Sequence, residues 1–273
     1  MATAAVEKAH GIHIPSSEDT LPGTTVPLED PGSNPIGLDS SPWLTCPGPP
    51  VNGSPTTVTL YSPQRIASNS ILEPLKTMIN ASFRHTGIRD NVMPTDIERL
   101  QSTTQYLQQI GSGPGTFVLV LCAADKPDEP LATVAAHRYT SEILEAHLVP
   151  GKGTSFHRLK LPEGAEGEGQ DVWEPKVLAV RPGIMGVGVG VWMMKKMEEE
   201  VWRRFVAEQQ KRSGVLDRGP QRCWMVLTTI RESNGRWYER LGYVEDFERK
   251  FPPGHMRSPA GFTVVGMSKV LAH

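Results

Sequence analysis

Between residues 175 and 212 the chain passes from a short apolar segment, PKVLAV, through a glycine-rich stretch, RPGIMGVGVG, into a long segment with helical patterning. In VWMMKKMEEEVWRRFVAEQQKR (191–212), Trp192, Met194, Met197, Val201, Trp202 and Phe205 fall on one stripe, and Lys211 and Arg212 stand at the end where a helix dipole favours cations. A buried strand feeding such a helix through a tight turn has one stable solution: the helix folds back and buries its stripe on the sheet that holds the strand. This unit therefore places the chain in the α/β class. Glycines let the connecting backbone turn sharply and approach a ligand. The helix start behind them offers unpaired N–H groups and the positive end of a dipole, which together suit a phosphate.

The remaining elements fit around this unit. Residues 57–62 (TVTLYS) alternate as a strand, and ILEPLKTMINASFRHT (71–86) spaces its apolar residues as a helix with Pro74 in the first turn. A second helix is expected over 95–111, stopped by Gly111. TFVLVLCAAD (116–125) and PLATVAAHRYT (130–140) flank the turn-rich KPDE and read as a β-hairpin. Strands follow at 175–180, 222–230 and 261–271, with a short helix at 233–243 ended by Gly242. Residues 141–170, with PGKGTS and PEGAEGEGQ, form a long insertion.

The composition breaks near residue 56: ten of the 24 prolines fall in the first 55 residues. Such a segment buries too little apolar surface to offset its ordering entropy. The chain thus divides into a Pro/Gly/Ser-rich extension over 1–55, in which Ile36, Leu38, Trp43 and Leu44 are the residues able to pack on the body, and a folded domain over 56–273. A net charge of −2 points away from nucleic acid and anionic membranes. The longest apolar run, residues 117–124, is far shorter than the roughly 20 residues a membrane helix needs. The first residues lack a signal-peptide pattern. Cys46, Cys122 and Cys223 are far apart and form no CxxC pair, so neither a disulfide framework nor a metal site is expected, and the compartment is the cytoplasm or the nucleus.

Three phosphate-binding patterns compete for the glycine loop. A Walker loop needs GxxxxGK[ST], and no Lys-Ser or Lys-Thr follows these glycines; the GKGT at 151–154 lacks the first glycine and a preceding strand. A dinucleotide fingerprint needs GxGxxG and an acidic residue about 20 positions on. Here the third glycine is misplaced, and the corresponding region, Glu208-Gln209-Gln210-Lys211, lies inside the helix. The third pattern fits. Leu178-Ala179-Val180-Arg181-Pro182 followed by Met185, Gly188 and Gly190 resembles motif A of the GNAT N-acetyltransferase superfamily, with Met185 where that family prefers Gln or Arg. About 50 residues on, Asn234-Gly235-Arg236-Trp237-Tyr238-Glu239-Arg240-Leu241-Gly242-Tyr243 is similar to that family's motif B.

This resemblance implies a mixed, mostly antiparallel central sheet flanked by helices, and acetyl-CoA as cofactor. It implies that the main chain of Met185, Gly186, Val187, Gly188, Val189 and Gly190 binds the pyrophosphate. Leu178, Ala179 and Val180 would hold the pantetheine arm and polarise the acetyl carbonyl. Asn234 would contact the pantetheine, against the plainer role of a helix cap, and Tyr238 would protonate the leaving sulfur. For a base it offers Glu174, eleven residues before Met185, where Pro175 reads equally as a strand edge carrying a solvated carboxylate. His137 in the hairpin is the other candidate, since an imidazole titrates near neutral pH; water alone could also deprotonate the amine. The implied reaction is direct attack of a primary amine, from a small molecule or a peptide, on the thioester. The alternative is a catalytically degenerate acyl-CoA sensor or scaffold, for which Met185 is the motive. The acceptor and the oligomeric state are left open.

Overall fold

The computed structural model describes residues 45–92, 96, 98–139, 165, 170–212 and 222–271. The expected extension lies outside these residues up to position 44, Ile36, Leu38, Trp43 and Leu44 included, as does almost all of the 141–170 insertion.

The domain is a mixed α/β structure built on one sheet of eight strands: β1 (Thr45–Pro47), β2 (Thr56–Tyr61), β3 (Phe117–Ala123), β4 (Lys126–Arg138), β5 (Asp171–Val180), β6 (Cys223–Ile230), β7 (Val244–Phe251) and β8 (Phe262–Leu271). Their order is β1-β2-β3-β4-β5-β6-β8-β7, and among the described residues only β5 and β6 pair in parallel. β1 pairs with β2 and Val51 is buried, so residues ahead of the composition break contribute to the sheet and the core.

Both faces of the central strands are covered, which explains their continuous apolar sequence. On one face, Phe117, Leu119 and Leu121 of β3 and Val134 and Ala136 of β4 pack with Met193, Met194, Met197, Val201 and Phe205 of helix α4 (Val189–Arg212). On the other, Val118, Val120, Ala135 and Ala179 pack under helices α1 (Pro63–Ala67), α2 (Leu72–Asp90) and α3 (Thr103–Ile110). Among the described residues of the helix expected over 95–111, only Thr103–Ile110 are helical. The buried Asn80 side chain explains why: it bonds both main-chain groups of Leu100, at 2.9 and 2.8 Å, and holds that segment out of helical geometry until Ser102 caps α3. α4 is also tied down by charge. Glu200, fully buried, accepts from Arg204 at 2.7 Å and from Arg203 at 2.8 Å, while Arg204 reaches the Gly115 carbonyl and lies over the Phe117 ring.

Two features of β5 shape the opening beside it. The first is Pro175. The bond from Tyr139 N–H to Val172 C=O turns the main-chain groups of Val172 toward β4, so by alternation those of Trp173 and Pro175 face β6. Proline has no N–H to give, and the β5–β6 ladder ends at Trp173↔Met225. The second is a bulge. Ala135 pairs with Lys176 and Thr133 with Ala179, so Val134 alone opposes Val177 and Leu178. Val177 takes φ = 50°, a left-handed conformation that costs an L-residue roughly 1–2 kcal/mol. The extra residue reverses the phase of the strand. Arg181 N–H bonds Leu131 C=O, so beyond the bulge Leu178 and Val180 are the residues whose main-chain groups face away from β4, into the space β6 has left.

Replacing Glu200 by Ala leaves the buried Arg204 guanidinium without its carboxylate. We expect a loss of about 3–5 kcal/mol of unfolding free energy, measured as a lower midpoint in chemical denaturation.

Candidate functional site

The glycine loop joins β5 to α4 beside this opening. Gly186 and Gly188 have φ of 86° and 90°, with a residue of negative φ between them, an alternation that turns successive N–H groups toward one point. A Cβ at either glycine would meet nothing within 4 Å, so here glycine supplies backbone conformation and access, not packing room. Trp192 N–H bonds Gly188 C=O, so the N–H groups of the helical residues ahead of it, from Val189 to Val191, have no intrahelical acceptor. Gly186, Val187 and Gly188 are exposed, Met185 is half-buried and Val189 is buried in the core. The main chain of this segment can therefore bind an anion with no contribution from a side chain at Met185.

A second element closes the other side. β6 runs into a π-helical turn (Arg231–Gly235) and then helix α5 (Arg236–Arg240). Trp237 leans against the start of α4, its ring 3.4 Å from where a Cβ on Gly190 would lie, with Val180 3.6 Å from the same point. Leu178, Val180, Trp237 and Tyr238 pack against one core. The Tyr238 ring stands edge-on to Trp237 (4.8 Å between centroids) and to Tyr243 (5.6 Å). The two tyrosines differ in one respect. Tyr243 donates to Glu198 at 3.1 Å, and Lys269 holds the same carboxylate at 2.6 Å. The Tyr238 hydroxyl has no protein partner among the described residues. Burial raises its pKa far above the ordinary phenol value, so its proton is retained and available for donation. Asn234 sits half-buried in the π-helical turn and does not cap a helix with its side chain.

The two base candidates are brought together. His137 and Glu174 are direct cross-strand partners, on the face covered by α2 and α3. Glu174 is buried, not solvated, and Pro175 lies inside the strand rather than at its edge. Its Oε2 is 3.0 Å from His137 Nε2, and its Oε1 is 2.5 Å from Lys176 Nζ. Burial alone would raise its pKa, but the bond to His137 and the charge of Lys176 outweigh it, and the carboxyl lies below its ordinary value. An ionised carboxylate only accepts, so His137 Nε2 carries the proton of this bond. Lys176 and Trp237 were not singled out in the sequence. Period-two spacing could have found Lys176, which shares a face with Glu174.

No protein-family model matches the sequence, and no curated protein does. Among solved structures, the chain is similar to a mutant of agmatine N-acetyltransferase in its apo form (15% identity, 78% of this chain and 99% of the other, TM-score 0.46). It is similar to an acetyltransferase of the GNAT family from Streptococcus pneumoniae (10% identity, 80% and 99%, TM-score 0.42). A GCN5-related N-acetyltransferase from Kribbella flavida gives 13% identity, 78% and 98% coverage and a TM-score of 0.42. Likeness at this level leaves the function to be argued from the chain's own residues. Among the described residues, no cluster of three or more His, Cys, Asp or Glu could hold a metal, and no helix is long and apolar enough to cross a membrane.

Gly188→Glu puts a carboxylate and a strained backbone where the N–H groups converge. Titration calorimetry with coenzyme A should show binding weakened at least about 100-fold, a like charge and lost main-chain bonds together outweighing the 0.5–1.5 kcal/mol of one ordinary hydrogen bond. Unchanged binding would remove the loop from the site.

Proposed function

We propose that the chain is an acetyl-CoA-dependent N-acetyltransferase, with a primary amine of a small molecule or peptide as acceptor. One observation carries the reading: the main-chain groups of Leu178 and Val180 face the opening between β5 and β6 beside the glycine loop, and Trp237, in ring contact with Tyr238, packs by Val180 and Gly190. A thioester needs such an arrangement: an anchor for its diphosphate, main-chain donors for its carbonyl, and a proton source at its sulfur.

In this reading the diphosphate lies on the N–H groups of residues 186–190, and the pantetheine extends a strand along β5 in place of β6. Ala179, whose side chain is buried under the helices on the other face, fixes the spacing between Leu178 and Val180. Asn234 bonds the pantetheine amides. The neutral amine attacks the carbonyl carbon, the new C–N bond forms, and the carbonyl oxygen is held by the β5 main chain. The C–S bond breaks and Tyr238 donates to the sulfur. Its raised pKa exceeds that of a thiol, about 8.5, so it acts chiefly as a hydrogen-bond donor to the developing thiolate. The proton lost by the amine passes to His137 Nδ1. Leu178 lies opposite Val134, three residues along β4 from His137, about 10 Å at the usual rise, so this proton travels through water.

A second reading, an acyl-CoA-binding sensor without turnover, is favoured by Met185, which brings no polar group to the diphosphate. Thiol release from acetyl-CoA over a panel running from small amines and amino acids to peptide amines separates the two. Release with at least one acceptor supports the enzyme, whereas a thermal shift with acetyl-CoA and no release supports the sensor. For the enzyme, Tyr238→Phe should lower kcat about 100-fold while leaving coenzyme A affinity within about threefold, since the ring packing is kept.

A further inference from the structure

The carboxylate of Glu174 is shared between two partners on one face of β5, and the proposed chemistry uses only one of them. Lys176 follows Glu174 by two residues, so both side chains leave the strand on the α2/α3 face. Lys176 is the outermost of the group: its side chain is 30% exposed, against 8% for Glu174 and for His137. Of the three it is the one that solvent reaches. The bulge begins at the next residue, Val177, and returns Leu178 to the opposite face, so Lys176 marks the point where the charged face of β5 gives way to the opening.

We propose that Lys176 is a positioning residue: it occupies one oxygen of Glu174, leaving the other to hold His137 by Nε2 with Nδ1 turned toward Gly111. The proposal rests on the transferase reading for its catalytic meaning, but not for its geometry. A Cβ at Gly111 would lie 3.4 Å from His137 Nδ1, so the glycine that ends α3 leaves this nitrogen uncrowded. A buried carboxylate with a single imidazole partner would draw a proton strongly onto that imidazole, making it a spent base at neutral pH. Lys176 supplies a fixed positive charge to the same carboxylate and weakens this pull.

Few other groups compete for control of His137. Arg138 and Asp171 are paired with each other at 2.7 Å, and Arg138 also pairs with Glu208 of α4, on the far side of the sheet. α3 contributes only Tyr106, buried and protonated, its hydroxyl raised by burial. On α2, Glu73 pairs with Lys76 and Arg89 with Asp90, and Arg84 and His85 are exposed. Among the described residues, Lys176 is thus the cation on Glu174.

The test is the titration of His137 by NMR in the ligand-free protein, its signal assigned by loss in His137→Gln. In Lys176→Met the imidazole should titrate about one pH unit higher than in the wild type. Lys176→Arg, which keeps the charge, should restore the wild-type value and guards against a folding defect in the first variant. With the fastest amine of the panel, the acid limb of kcat/KM should move up by the same unit. The rate at pH 7 then falls up to about tenfold and recovers at higher pH. An unmoved His137 titration overturns the proposal, and so does a moved titration with an unmoved acid limb. A lysine that only stabilised the fold would lower the rate evenly across pH. If the wild type releases no thiol with any amine, the transferase reading fails visibly, while the NMR titration still decides whether Lys176 governs His137.

Discussion

A strand can pair on both edges only where it has donors on both, and β5 runs out of them at Pro175. Its main-chain groups there face β6, it has no N–H, and the parallel ladder stops two residues earlier. Everything proposed for this chain depends on that break. A continuous β5–β6 ladder would satisfy the main-chain groups of Leu178 and Val180 within the protein and leave nothing for a ligand. The break costs pairing, and burial of the same strand under helices on both faces offsets it. The bulge does the complementary work. By inserting Val177 it reverses which residues point where, so that one strand shows charged side chains to one face and open main-chain groups to its edge. The left-handed Val177 persists because Lys176 before the bulge and Ala179 after it are fixed in register with β4.

The two halves of the proposed chemistry therefore sit on opposite sides of one strand. The thioester side is nearly free of charge: main-chain N–H groups, a glycine nest, a helix N-terminus and a protonated phenol. The amine side carries Lys176, Glu174 and His137 in one hydrogen-bonded row. Separation of this kind keeps a buried carboxylate away from the proposed diphosphate site, where it would repel the ligand's charge. It also keeps the imidazole away from the electrophile. Glu198, which accepts from Tyr243 and Lys269, plays a different part: it ties α4 to β8 and to Tyr243, whose ring stands edge-on to Tyr238.

Much of this was legible in the sequence where the signal is local. The stripe of α4, the hairpin of β3 and β4 and the glycine loop each declare themselves within a few residues, because period is a local property. The hairpin's turn, though, falls at Ala124-Asp125, and KPDE, read as the turn, is the exposed start of β4. Tertiary contacts were not legible. Asn80 holding Leu100 shortens α3, and nothing near residue 95 announces it. β7, VEDFERKF, shows no apolar alternation because it is an exposed edge, where charge prevents pairing with another chain. Glu174 beside Pro175 read as a strand edge as readily as a site. Only the register with β4, set by residues 37 positions away, shows it buried against His137. Pro175 itself was visible throughout, but its meaning required knowing which edge of the strand it faced.

The most direct test of the β5 opening is a crystal structure with acetyl-CoA bound. The diphosphate should lie on the N–H groups of residues 186–190, with the pantetheine between β5 and β6 and the thioester between the Leu178 main chain and the Tyr238 hydroxyl. A cofactor bound elsewhere, with β5 and β6 left empty between residues 174 and 180, would contradict the account.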